Sequence, residues 1–99
     1  MTEDDFPKLH IEDDADGRRL FEATDRGYLA GVSVELADGS RHPVFFYDPV
    51  RLVQELEDDT KRGRAFIAEK GMIVVNDVTL DSMTAAVREL ARQGFFAKD

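Results

Sequence analysis

The sequence predicts a single α+β domain, a mainly antiparallel sheet with two helices packed on one face, in the order β-β-β-α-β-β-α. Three stretches carry that expectation. "YLAGVSVEL" (28–36) alternates between two faces with a period of two, as a half-buried antiparallel strand does. "DPVRLVQELEDDTKRG" (48–63) opens with Asp-Pro and closes on glycine, both signals of a helix with defined ends. "TLDSMTAAVRELARQG" (79–94) repeats apolar residues at helical spacing before a second glycine.

Residues 1–16 read as an acidic, flexible arm preceding a domain at 17–99, with "KLHIE" able to form a short strand. "RRLFEAT" (18–24) has strand composition, and "DRG" after it reads as a turn. In the next strand Tyr28, Ala30, Val32, Val34 and Leu36 point to one side, with Leu29, Gly31, Ser33 and Glu35 opposite. The "ADGS" turn then sets the register. A two-residue Asp38-Gly39 loop would mix the faces of the two strands. A three-residue loop, 37–39 with Gly39 left-handed, places Val32 against Val44, Ala30 against Phe46 and Glu35 against Arg41. That register gives one apolar face and one opposite-charge pair, so the longer loop is preferred. Pro43 cannot donate to a ladder, which puts the third strand at an edge or turns that position outward.

The first predicted helix has Asp48 as N-cap, Pro49 at its first position, and Val50, Leu52, Val53 and Leu56 as its buried stripe. Two short strands, "AFIA" and "MIVV", follow around Lys70-Gly71. In the last helix Leu80, Met83, Val87, Leu90 and Ala91 face inward, Gly94 ends it, and Phe95 folds back against its last turn.

Composition narrows the chemistry. The 99 residues hold no cysteine, which excludes disulfides, thiolate zinc sites and cysteine nucleophiles. Two histidines are too few for a histidine-rich metal centre. The net charge of −8 is concentrated at the start. Residues 1–16 contain seven acids and one base, whereas the remainder contains fourteen acids and twelve bases. An acidic chain without a basic stripe is not expected to bind nucleic acid. "MTEDDFPKLH" lacks a basic region followed by an apolar run, and no stretch has the length of a membrane span. A cytoplasmic protein with no membrane partner is the expectation.

The acidic stretch "IEDDADG" invites comparison with a calcium loop. With Gly17 at position six, Glu12, Asp14 and Asp16 fall on ligand positions, but position twelve is Ala23 rather than a bidentate glutamate. No metal or other cofactor is therefore expected, and Glu12, Asp13, Asp14 and Asp16 read as a solvated arm that meets a basic partner. Ser40 and His42 share a hairpin without a nucleophile-elbow sequence, and "KRGR" (61–64) reads as cations complementing a helix C-terminus. No catalytic residue is predicted. The candidate site is the sheet face opposite the helices, carrying Leu29, Phe45 and Tyr47 with Glu35 and Arg41 near the turn. The expected function is a small non-catalytic interaction or regulatory module, a possible homodimer that uses this face or an edge strand. The alternative is an acidic inhibitor or immunity-type protein that masks a basic toxin or nucleic-acid-binding partner.

Overall fold

The computed structural model describes residues 6–14 and 17–96. They form an α+β fold in which a four-stranded mixed sheet carries three helices. The elements are β1 (Lys8–Ile11), α1 (Arg18–Arg26), β2 (Tyr28–Glu35), β3 (Arg41–Tyr47), α2 (Pro49–Lys61), β4 (Met72–Val74) and α3 (Leu80–Arg92). The strands lie in the order β1-β2-β3-β4. The first two pairings are antiparallel, and β3 with β4 is parallel.

Two predicted strands are corrected. Residues 18–26 are helix, because Leu20 and Ala23 recur at helical spacing and face the core. Gly27, read as a strand turn, is the helix C-cap. Its N–H donates to Ala23 O at 2.8 Å with φ at +68°, and a Cβ there would lie 2.5 Å from the Asp48 carboxylate. The helix start comes from the acidic stretch itself. Asp14 accepts from Arg19 N at 2.7 Å and from Leu20 N at 3.0 Å, satisfying two orphan amides with a favourably placed negative charge. Residues 64–69 form no strand; β3 pairs instead with β4, and among the described residues no strand lies beyond it. Of the segment read as an arm, residues 8–11 pair with β2, whereas residues 1–5 and Asp16 lie outside the described residues.

The hairpin forms as its register required. Val32 faces Val44, Glu35 faces Arg41, and the three-residue loop closes through Leu36 N–H to Ser40 O at 2.9 Å. Closer to the start of β2 the ladder slips. Leu29, not Ala30, lies opposite Phe46, so Ala30 and Gly31 together occupy the space of one residue. Gly31 takes φ +71°, open to glycine at no steric cost. The freed carbonyls are taken up: Ala30 O by the Arg19 guanidinium, Gly31 O by Glu12 N–H at 2.8 Å. The slip reverses the facing of everything before it. Leu29, only 3% exposed, turns inward and Tyr28 turns outward.

One core results. Leu29, Val32, Val34, Val44, Phe46 and Ile73 from the sheet meet Ala23 of α1 and Met83 and Val87 of α3. The α3 cap is a Schellman-type ending with Gly94, its Phe95 N–H donating to Leu90 O at 3.0 Å. Phe96, not Phe95, is the ring that folds back into the core.

Helix α2 stands apart. Its ends are as predicted: Asp48 accepts from Arg51 N at 2.8 Å, and Gly63 and Arg64 close a Schellman pair onto Thr60 O and Asp59 O. Its facing is not. None of its thirteen residues is buried, and three of the four predicted core residues point to solvent, with Val50 68%, Val53 52% and Leu56 36% exposed. Arg51, Leu52, Glu55 and Asp59 are its half-buried side.

Candidate functional site

Two surfaces meet where α2 leaves β3. The first is the outer sheet face. Tyr28, Phe45 and Tyr47 form a ring cluster there, with centroids 4.9 Å apart for Tyr28–Tyr47, 5.8 Å for Phe45–Tyr47 and 6.4 Å for Tyr28–Phe45. Arg51, on the first turn of α2, sets its guanidinium 5.7 Å from the centre of the Tyr28 ring while its Nε donates to Glu55 at 2.9 Å. The helix start is thereby clamped to the sheet. Tyr47 is buried beneath this arrangement, and burial first, then the Glu55 charge, pushes its phenol above the ordinary tyrosine range.

At the turn end of the same face Glu35 lies between two cations or donors, 2.7 Å from His10 Nε2 and 3.8 Å from Arg41. A shallow depression of about 460 Å³ separates the two ends, floored by Gly31 and Ser33 and rimmed by Glu12, Arg41 and Lys70. Mixed charge on an open dish gives no convergent set of groups for one small ligand.

The second surface is the outward side of α2. Val50, Val53 and Leu56 run along it, and beside Leu56 a dimple of about 380 Å³ is lined by Leu56, Glu57, Thr60 and Lys61. Thr60 donates its hydroxyl to Leu56 O at 2.8 Å, leaving its methyl group to the dimple. Phe66, in the irregular segment after α2, is exposed as well.

The predicted site residues divide accordingly. Phe45, Tyr47, Glu35 and Arg41 lie on the outer face, where Tyr47 is buried rather than open to a partner. Leu29 is corrected: the slip at 30–31 places it in the core, and Tyr28 stands on the face in its stead. Among the acids of the arm, Asp14 caps α1, and Glu12 and Asp13 are exposed. The α2 stripe is what sequence reasoning assigned to the wrong side. Its apolar period of three to four residues was visible, but periodicity says only that a face is apolar and not what it meets.

Ser40 and His42 do come together, with Ser40 Oγ 3.1 Å from His42 Nε2. Asp38, however, sits 2.6 Å from the same hydroxyl. A serine carries one proton. Donated to the carboxylate, it leaves Oγ an acceptor toward the imidazole, the reverse of what an activated nucleophile needs. The group braces the turn, helped by Ser40 N–H to Asp38 at 2.9 Å. The Ser40 hydroxyl, followed by its N–H, holds the Asp38 carboxyl below the ordinary aspartate range. A lowered folded value means the contribution is present above the unfolded pKa and is lost as pH falls through the folded one. Ser40→Ala is expected to move the Asp38 titration upward, read from its carboxyl carbon shift by NMR. An unmoved midpoint would remove the hydroxyl as the cause.

Among the described residues no group of three His, Cys, Asp or Glu side chains is placed to hold a metal ion, and no helix is long and apolar enough to cross a membrane. No family model matches the chain, and no curated protein and no solved structure matches it.

Proposed function

We propose that this chain is a small, non-catalytic protein-interaction or regulatory module whose binding element is the outward face of α2, buttressed by the Tyr28–Phe45–Tyr47 face behind it. One observation carries the proposal: a thirteen-residue helix with sound caps buries no residue, yet lays Val50, Val53 and Leu56 in a line. Most helical stability comes from packing an apolar face, so a helix whose apolar face meets only water lacks its main support. A partner supplies it. Single exposed apolar residues are ordinary on protein surfaces, but three in a row on one helix form the pattern used by helix-in-groove and helix-on-helix recognition.

The reading places the contact on α2 rather than on the sheet face itself, whose rings already cover one another. It also ranks above recognition of a basic toxin or enzyme through the acidic arm, because Asp14 is committed to capping α1. Val53→Glu is expected to abolish protein association while changing unfolding stability by under about 0.5 kcal/mol, as for any exposed position. Phe21→Glu, on the exposed side of α1, serves as the control and should leave association intact. Co-purification of both variants with their retained proteins checks this. Equal retention by the two variants would contradict the assignment, and association that fades steeply with salt would favour the acidic-arm alternative.

A further inference from the structure

We infer that the occupant of the α2 face is a second copy of this chain, bound through an antiparallel, twofold α2–α2 contact with its axis beside Leu56. The inference rests on the reading of α2 as the binding element. Shape fixes the register. Val53 projects from the N-terminal half of the stripe, and the dimple formed by Leu56, Glu57, Thr60 and Lys61 lies in the C-terminal half. Seating Val53 of one copy in the dimple of the other is self-consistent only when the helices run in opposite directions. The symmetry axis then falls between Val53 and the dimple, at Leu56.

Charge selects the same arrangement. The N-terminal half of the stripe, Val50, Val53 and Gln54, is uncharged, while its charged residues, Glu57 and Lys61, both lie in the C-terminal half. A parallel pair would stack Glu57 on Glu57 and Lys61 on Lys61. The antiparallel pair separates Lys61 from its twin, brings it toward the Asp48 end of the other copy and opposes the helix dipoles favourably, while Glu57, one residue from the axis, stays near its twin. The two charges of the stripe itself, Glu57 and Lys61, are opposite in sign.

The size of the contact sets its strength. Thirteen residues give a helix roughly 20 Å long, which buries less than the ~800 Å² per partner of a standard interface. A dissociation constant on the order of ten micromolar is the expectation. Light scattering on the full chain between about 5 and about 500 µM should therefore show the mass climbing from 11.2 kDa toward twice that value. Because each copy carries −8, added salt should leave the dimer unchanged or tighten it.

The cysteine-free sequence permits a test of the register. Under mild oxidation Leu56→Cys should link to its twin at least about fivefold faster than Val50→Cys, whose twins lie far apart along the antiparallel pair. Val53→Glu should raise the dimer dissociation constant at least tenfold. A chain that stays monomeric at about 500 µM, or equal linking by the two cysteine variants, overturns the inference. If the chain is monomeric and Val53→Glu folds with unchanged stability, the α2 face belongs to another partner and the functional reading stands. If Val53→Glu or the milder Val53→Thr lowers the urea unfolding midpoint of a monomer further than Phe21→Glu does, the chain covers α2 itself and both fail.

Discussion

Phe46→Ala is expected to cost about 3–5 kcal/mol of unfolding free energy, the largest loss from any single side chain in the fold. Phe46 has no exposed surface, pairs with Leu29 on one side and Ile73 on the other, and is the largest fully buried side chain. Removing the ring forfeits its transfer free energy and leaves a cavity that a rigid sheet cannot close. A domain of this size holds only about 5–15 kcal/mol in total, so the variant should be partly unfolded near 37 °C. Phe66→Ala is the matched control. Its ring is largely exposed, and its loss should stay within about 0.5 kcal/mol. Urea unfolding of the pair at equal, low protein concentration checks the contrast. Comparable losses would mean that the segment after α2 packs more closely than its exposure indicates.

Leu29→Ala is the second large effect, at about 2–5 kcal/mol. Strict alternation along β2 would set Leu29 beside Ser33 on the outer face, where truncation costs little. The extra residue at 30–31 moves it into the core between Phe46 and Val32. The magnitude therefore measures the slip. Tyr28→Ala, on the outer face, removes ring contacts with Phe45 and Tyr47 and should cost less, about 1–2 kcal/mol, because its ring is only half buried. Reversal of the two would restore the uninterrupted register.

Where local chemistry decides, the sequence was readable. Asp48-Pro49 starts α2, Gly63 and Gly94 end the two long helices, and the 37–39 loop sets Val32 against Val44. What it did not show are choices made by distant partners. Gly31 marks a slip only once Arg19 and Glu12 have taken up the freed carbonyls, and Arg19 is there only because residues 18–26 are helical. The sequence hides that helix because its cap, Asp14, lies four residues ahead of its first residue inside a stretch that reads as solvated acid. The same limit applies to the site. Phe45 and Tyr47 were placed on the outer face by alternation alone, whereas Leu29 and Tyr28 exchanged roles across the slip. The α2 stripe looked like core because an apolar face has one sequence signature whether it packs on its own sheet or on another molecule.

Whether α2 packs on its own sheet or on another molecule is decided by one comparison. Leu29→Ala and Leu56→Ala make the same chemical deletion in one chain, and their unfolding free energies can be measured by urea at a concentration too low for association. A loss of about 2–5 kcal/mol is expected for Leu29 and no more than about 1 kcal/mol for Leu56, which is 36% exposed. A Leu56 loss equal to or above that of Leu29 would put α2 inside the monomer's core.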